Sequence, residues 1–245
     1  MKKYQQLFFD LDGTLWDLRK NTRETLLTLF DQFSEQISGT DFNRFFARYH
    51  HHNDQVWALY RDGKIEKEVL RYVRFERAFA DTNQGVDQDT ITAFSNEFMD
   101  KCPKQPHTLD GTHELLAHLH GKYPLHIITN GFMEVQGHKM FAADLNKYFD
   151  KVINSEHCGV RKPHSGIFEY AMQQTGADPS TSLMIGDDWV ADILGARDFG
   201  MDQAYLTATE ELMNEINQSE GHSAIRHNYH ATYTIKSLRE LMNIL

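Results

Sequence analysis

The stretch Leu7-Phe8-Phe9-Asp10-Leu11-Asp12-Gly13-Thr14 places two carboxylates one residue apart at the end of an apolar run. Such a run predicts a buried strand, and the alternation of side chains along a strand directs Asp10 and Asp12 to the same side. Two acids at one strand end repel each other and lose hydration, so we expect a cation or a catalytic task there. An Asp-Gly pair between apolar residues is also a hairpin signal, and this stretch alone leaves that alternative open.

Length, charge and cysteine content exclude several classes of protein. The chain has 245 residues and a formal net charge of -10. This charge argues against a nucleic acid polymer or an anionic membrane as the main partner, because both are recognised by basic surfaces. The two cysteines, Cys102 and Cys158, form no CxxC motif and predict no disulfide framework. Since neither a signal peptide nor a membrane-spanning run is apparent, we expect a cytoplasmic protein. The expected partner is a small molecule, and the expected state is a monomer or a homodimer.

Short apolar runs alternate with helical patterns through much of the chain. Strand-like runs occupy residues 4–9, 125–129, 151–154, 183–185 and 203–206, and helical patterns occupy 111–120, 137–141, 165–175 and 191–199. A last strand at 233–235 and an amphipathic helix are expected at the carboxy terminus. Strands that alternate with single helices predict an α/β fold with a parallel sheet covered on both faces. The active site of such a sheet lies at the carboxyl ends of its strands.

A long helical segment separates the first two predicted strands. The interval from residue 10 to residue 124 is far longer than an ordinary crossover, and its apolar residues recur at helical spacing. We therefore predict an all-helical cap domain at residues 19–102, inserted into a catalytic core of residues 1–18 and 103–245. Within the insertion, Lys67, Arg71, Arg74 and Arg77 follow one helix face. We expect this stripe to be solvated, with a role in attracting anionic substrates as the alternative.

Polar motifs lie at the ends of successive predicted strands. They are Asp10-Leu11-Asp12-Gly13-Thr14, Ile128-Thr129-Asn130-Gly131, Arg161-Lys162-Pro163 and Ile185-Gly186-Asp187-Asp188-Trp189-Val190-Ala191-Asp192. In this order they resemble the four motifs of the haloacid dehalogenase superfamily of Mg²⁺-dependent phosphohydrolases. The resemblance covers essentially the whole chain outside the predicted cap. It implies a Rossmann-like parallel-sheet core, an aspartyl-phosphate intermediate and a Mg²⁺ cofactor.

The resemblance also implies catalytic and phosphate-binding roles. Asp10 would be the nucleophile, and Asp12 would act first as the general acid for the leaving oxygen and then as the base that activates water. Thr129 and Asn130 would bind phosphate oxygens. Lys162 would bind phosphate as well and would neutralise the nucleophile.

The same resemblance implies a metal site among the acids. Asp10 and Asp187 would supply side-chain ligands to Mg²⁺, and Asp12 would supply its main-chain carbonyl. Asp188 is expected either to act through a metal-bound water or to cap the helix that follows it. Asp192 is expected either to orient the motif lysine or a water, or to be an ordinary acid early in a helix.

The predicted cap carries a second pattern: Asn53, Trp57, Tyr60, Gly63 and Ile65, followed by Leu70 and Arg74-Phe75. It resembles the cap of the pyrimidine 5′-nucleotidase branch of the superfamily. This implies UMP, dUMP and dTMP as substrates, with Asn53, Arg74 and Gly131 as candidate substrate-binding residues. A sugar-phosphate or other small-metabolite phosphatase would share every core residue and remains an alternative. A non-catalytic partner-binding protein is a third alternative.

Overall fold

The computed structural model describes residues 3–207 and 230–245, and the structural statements below refer to these residues. The chain divides into two compact units. The first, called here the sheet unit, comprises Met1–Leu18 and Pro106–Leu245, and the second, the helical unit, comprises Arg19–Gln105. Over the described ranges, no helix combines the length and the apolar character that a membrane span requires.

The helical unit is built on four helices with an aromatic core. They are α1 (Leu18–Gln32), α2 (Phe42–Arg61), α3 (Lys67–Thr82) and α4 (Gln88–Lys101). Asp41 begins α2 by accepting a hydrogen bond from the main-chain N–H of Arg44 at 2.8 Å. Phenylalanine rings from three of the helices meet in the core, where the centroids of Phe45 and Phe79 lie 4.5 Å apart and those of Phe45 and Phe94 lie 6.0 Å apart. Apolar burial of these rings holds the unit together.

The sheet unit contains a six-stranded parallel sheet. Its strands are β1 (Gln6–Phe9), β2 (Leu125–Thr129), β3 (Lys151–Asn154), β4 (Ser182–Gly186), β5 (Asp202–Leu206) and β6 (Tyr233–Ile235), in the order β3-β2-β1-β4-β5-β6. β1 lies between β2 and β4 and pairs with both in parallel. The predicted α/β fold is therefore confirmed, and the hairpin alternative for the first acidic motif is wrong because both sides of β1 are already paired.

Helices cover the sheet. They are α5 (Thr112–Leu119), α6 (Met133–Ala142), α7 (Ser155–Cys158), α8 (Ser165–Thr175) and α9 (Gly195–Phe199). On one face, Ile167 and Phe168 of α8 pack with Phe8 of β1, Ile128 of β2 and Met184 of β4. The expected amphipathic helix at the carboxy terminus is a 3-10 helix at Leu238–Asn243 rather than an α-helix.

The helical pattern at 191–199 also differs from expectation. Residues Trp189–Leu194 form a π-helix, and α9 follows it directly. The main-chain N–H of Ile193 donates to the carbonyl of Asp188, five residues earlier, at 3.3 Å. In this wide turn the Asp192 carboxylate lies against the end of β4, where a Cβ on Gly186 would be 2.2 Å from Asp192 Oδ2. π-turns of this kind occur often at functional sites.

Candidate active site

Three of the predicted site residues lie at the carboxyl ends of neighbouring central strands. Asp10 follows β1, Thr129 ends β2 and Asp187 follows β4. The N–H of Asp10 donates to the carbonyl of Ile185 at 2.9 Å, so the hydrogen-bond ladder between β1 and β4 extends to Asp10. Parallel pairing brings these strand ends to one edge of the sheet, which explains why residues far apart in sequence meet there.

A buried lysine lies at the centre of this group. Lys162 Nζ donates to Asp10 Oδ1 at 2.6 Å, to Asp192 Oδ1 at 2.6 Å and to the carbonyl of Ile128 at 2.7 Å. Lys162 is 2% exposed and Asp192 is 0% exposed. An ammonium group has three donors, and all three are used here. The ammonium group of Lys162 is therefore fixed beside the Asp10 carboxylate.

The electrostatics of the group follow from burial and excess negative charge. Burial raises the pKa of Asp10 well above its usual value, and the charge of Lys162 opposes this rise only in part. Burial, followed by repulsion from Asp192, raises the pKa of Asp187 to about 7. Burial lowers the pKa of Lys162, but the charges of Asp10 and Asp192 outweigh it and the net pKa is raised. One ammonium faces three carboxylates, so a further cation would stabilise the group.

The donor set fits a divalent metal ion. Ligand oxygens of Asp10, Asp187 and Asp192 lie within 4.8 Å of one another. Both oxygens of Asp192 are engaged, one by Lys162 and the other by the main-chain N–H of Asp188 at 3.1 Å. In contrast, Oδ2 of Asp10 and Oδ2 of Asp187 accept no hydrogen bond from any residue that the structure describes. Two such carboxylate oxygens suit Mg²⁺, which needs few protein ligands and keeps several waters.

The turn after β1 supports the Asp187 carboxylate. Thr14 Oγ1 donates to Asp187 Oδ1 at 2.8 Å. Gly13 has a φ of +86°, in the left-handed region, and a Cβ at this position would lie 2.5 Å from Asp187 Oδ2. Glycine is therefore required twice over, for the turn and for the close approach of the carboxylate.

The second acid of the opening motif is held by residues that the sequence analysis missed. Asp12 Oδ1 accepts from Lys139 Nζ at 2.6 Å, and Asp12 Oδ2 accepts from Gln136 Nε2 at 3.0 Å. Both residues lie on one face of α6 and are buried. The available sequence signal was a pair of long polar side chains three positions apart in the helix that follows the Thr129-Asn130-Gly131 motif.

Residues of the second motif stabilise one another and Lys162. Thr129 Oγ1 accepts from the N–H of Gly131 at 3.0 Å and from Gln136 Nε2 at 2.6 Å. Asn130 binds the main chain of Lys162 twice: its Nδ2 donates to the Lys162 carbonyl at 2.9 Å, and its Oδ1 accepts from the Lys162 N–H at 2.8 Å. The Asn130 carboxamide is therefore engaged, and phosphate contact from this residue would come from its main-chain N–H.

The two acids after β4 have different surroundings. Asp188 Oδ1 accepts from the main-chain N–H groups of Val190 at 2.9 Å and Ala191 at 2.8 Å, which is the geometry of a helix cap. Asp192 is not a solvated helical acid, because it is buried against Lys162. The structure therefore places Asp188 as a cap and Asp192 as a partner of the motif lysine.

Two candidate residues of the helical unit contact each other. Arg74 Nη1 donates to Asn53 Oδ1 at 3.0 Å, and Arg74 is 5% exposed. The guanidinium lies over three aromatic rings, those of Tyr49, Phe75 and Phe98. No carboxylate pairs with Arg74 among the described residues, and its Nε has no hydrogen-bond partner there. The expectation of a solvated stripe is wrong for Arg74, because its side chain is directed into the helical unit.

Comparisons with known proteins agree with this architecture. The family model described as haloacid dehalogenase-like hydrolase matches residues 4–200. Pyrimidine 5′-nucleotidase YjjG of Escherichia coli (strain K12) is 32% identical over 244 residues, which cover 99% of this chain and 98% of that protein. Pyrimidine 5′-nucleotidase PynA of Streptococcus pneumoniae (strain ATCC BAA-255 / R6) is 29% identical over 244 residues, which cover 99% and 95%.

A solved structure shows the same fold. The HAD-hydrolase YfnB of Bacillus subtilis, crystallised with magnesium bound, is similar with a TM-score of 0.82 and 24% sequence identity, over 99% of each chain. This likeness concerns the fold. The family match over most of the chain, together with a relative of 32% identity over nearly its whole length, shows that this protein belongs to the haloacid dehalogenase-like hydrolase family.

Proposed function

We propose that this hydrolase is a Mg²⁺-dependent phosphomonoester hydrolase that acts through an aspartyl-phosphate on Asp10. The observation that carries the proposal is the buried contact between Lys162 and Asp10, beside two carboxylate oxygens that no described residue engages. A phosphomonoester is a dianion and is repelled by an attacking carboxylate. Lysine and a divalent cation together would offset that repulsion at the point of attack.

In the proposed reaction, a carboxylate oxygen of Asp10 forms a bond to phosphorus while the bond from phosphorus to the ester oxygen breaks. The leaving oxygen takes the electron pair of that bond and a proton from Asp12. Asp12 then takes a proton from a water molecule that attacks the phosphorus. The bond between Asp10 and phosphorus breaks, which releases inorganic phosphate and restores the carboxylate.

The remaining residues of the sheet unit support this chemistry. Mg²⁺ would be held by Asp10, Asp187 and the main-chain carbonyl of Asp12, and would neutralise charge on the phosphate oxygens. The Thr129 hydroxyl accepts two hydrogen bonds and keeps its own proton for a phosphate oxygen. Lys162 would bind phosphate by exchanging one of its three present hydrogen bonds for a phosphate oxygen.

In this proposal Asp188, Asp192 and Asn130 contact other groups of the protein rather than the substrate. Asp192 fixes the ammonium of Lys162, and Asn130 fixes the Lys162 main chain. Asp188 caps the π-helix that carries Asp192. These contacts would keep the lysine in place while negative charge moves between Asp10 and the leaving oxygen.

We propose pyrimidine nucleoside monophosphates, namely UMP, dUMP and dTMP, as the substrates. The similarity to two proteins named pyrimidine 5′-nucleotidases supports this choice. Asn53, Arg74 and Gly131 are the proposed substrate-binding residues. The Nε of Arg74 has no hydrogen-bond partner among the described residues, which supports substrate binding by Arg74. A buried cation with a free donor suits a carbonyl or anionic group of a ligand. The cap role of residues 19–102, the cytoplasmic location and the monomeric or dimeric state stay predictions.

The direct test is release of phosphate from p-nitrophenyl phosphate with and without Mg²⁺. We expect activity that depends on Mg²⁺ and is abolished in Asp10→Asn. Asp198→Asn makes the same change at an exposed carboxylate and serves as the control. An inert wild type, or an Asp10→Asn variant as active as wild type, would contradict the enzyme proposal. A panel of nucleoside monophosphates and sugar phosphates then tests the substrate, and equal rates on both classes would contradict the nucleotidase proposal.

A further inference from the structure

The carboxylate of Asp12 is held at both oxygens from a single helix. Lys139 Nζ contacts Oδ1 at 2.6 Å and Gln136 Nε2 contacts Oδ2 at 3.0 Å. Residues three positions apart on a helix project from the same face, so α6 presents both donors to one carboxylate. Support at both oxygens leaves the carboxyl group little freedom to rotate.

Both donors are themselves held in place. The Lys139 ammonium lies 4.7 Å from the centroid of the Trp16 ring, and Trp16 is fully buried. Gln136 lies against Gly131 so closely that a Cβ there would be 2.3 Å from Gln136 Nε2. A donor that is packed rigidly positions its acceptor more accurately than a donor on a mobile side chain.

The Gln136 carboxamide also joins two strand ends. Its Nε2 donates to Thr129 Oγ1 at 2.6 Å as well as to Asp12, while its Oε1 is buried without a hydrogen-bond partner among the described residues. A buried acceptor without a partner costs about 1–3 kcal/mol. The two hydrogen bonds from Nε2 therefore orient the amide, and this orientation leaves Oε1 without a hydrogen bond.

We propose that Gln136 and Lys139 are positioning residues for Asp12, which they hold in the orientation that delivers a proton to the leaving oxygen. The proposal rests on the proposed phosphatase function. When the ester bond from phosphorus breaks, the oxygen takes the electron pair and the Asp12 proton, and Asp12 becomes a carboxylate. Lys139 stabilises that carboxylate, and without this lysine the new charge would face the negatively charged phosphoryl group on Asp10 unopposed.

The test compares two esters whose leaving groups differ in their need for a proton. p-Nitrophenolate leaves without a proton, whereas the 5′ oxygen of UMP leaves as an alkoxide and requires one. We expect Lys139→Met to lower kcat/KM for UMP by at least about tenfold and to lower it for p-nitrophenyl phosphate by less than about threefold. Methionine keeps an apolar stem over Trp16. Lys147→Met removes an exposed lysine from the same unit and should leave both values unchanged.

A double-variant experiment separates positioning from general damage to the fold. Asp12→Asn shows how far kcat/KM falls for UMP and for p-nitrophenyl phosphate when the general acid is lost. If Lys139 acts through Asp12, adding Lys139→Met to Asp12→Asn should lower kcat/KM for UMP by less than about twofold more. Gln136→Met provides a second variant, so that a Lys139 variant that does not fold leaves the proposal testable. Because Gln136 also contacts Thr129, this variant should lose activity on both esters, with the larger loss on UMP.

Some outcomes would contradict the positioning role of Gln136 and Lys139 while leaving the proposed phosphatase function intact. With an active wild type, these are an equal loss of kcat/KM on both esters in Lys139→Met, or no loss on either ester. A third is a Lys139→Met loss on UMP that is as large in the Asp12→Asn background as in wild type. An inert wild type would contradict the phosphatase proposal itself. Should the wild type hydrolyse sugar phosphates and not UMP, glucose 6-phosphate takes the place of UMP, because its leaving group is also an alkoxide.

Discussion

Substitution of Gly186 by alanine should displace the Asp192 carboxylate and break its ion pair with Lys162. A Cβ at position 186 would lie 2.2 Å from Asp192 Oδ2 and 2.4 Å from Asp192 Cγ. Ordinary van der Waals contact needs about 3.5 Å between such atoms, so the carboxyl group must move by about 1 Å. A hydrogen bond of 2.6 Å to Lys162 Nζ does not survive such a shift at its present strength.

The expected magnitude follows from burial of the pair. Lys162 and Asp192 are 2% and 0% exposed, and breaking a fully buried ion pair costs about 3–5 kcal/mol. Relief of repulsion between Asp192 and the neighbouring acids offsets part of this cost. We therefore expect the free energy of unfolding to fall by about 3 kcal/mol. We also expect kcat/KM to fall at least about tenfold, because the lysine beside Asp10 loses one of its three fixed contacts.

The assay is urea unfolding of purified protein, with Gly137→Ala as the matched control. Gly137 lies inside α6, and nothing lies within 4 Å of a Cβ built there. Alanine in a helix interior is favoured over glycine by up to about 1 kcal/mol, so this control should be as stable as wild type or more stable. A Cβ at position 186 would also lie 2.5 Å from Asp192 Cβ, so only Asp192→Gly removes all three of these contacts, and Gly186→Ala should cost less in that background than in wild type. An unfolding free energy of Gly186→Ala within about 0.5 kcal/mol of wild type would refute the reasoning.

Three further predictions concern other parts of the molecule. Burial lowers the pKa of His126 to about 4, against about 6.5 when unfolded, so the neutral form favours folding. Stability should fall as the pH drops from about 6.5 to about 4, by up to about 3 kcal/mol, and urea unfolding of His126→Gln should show a smaller fall. Gly13→Ala should weaken Mg²⁺ binding about tenfold in titration calorimetry, because its Cβ meets Asp187 Oδ2 at 2.5 Å; unchanged affinity would contradict the proposed metal site. Arg74→Met should raise KM for UMP about tenfold and leave p-nitrophenyl phosphate hydrolysis unchanged; equal effects on both would exclude contact with the nucleoside.

Much of the fold was predictable because hydrophobic periodicity records local burial. The runs at Leu125–Thr129 and Lys151–Asn154 are strands with the predicted bounds, and the pattern at Ser165–Thr175 is a helix with the predicted bounds. Parallel pairing also followed, since single helices between strands permit little else. The π-helix at Trp189–Leu194 was not predicted. A segment of six residues is too short for its apolar pattern to distinguish a π-helix from an α-helix.

The sequence by itself determined which residues follow the central strands, and therefore which chemical groups the sheet edge carries. Only the tertiary structure decided what holds those groups. Asp12 meets Gln136 and Lys139 across 124 and 127 residues of sequence, and the Arg74 side chain is buried in the helical unit. The reason is physical: side-chain spacing encodes the direction of a residue within its own strand or helix, whereas contacts between elements depend on their order and packing, which spacing along the chain does not record.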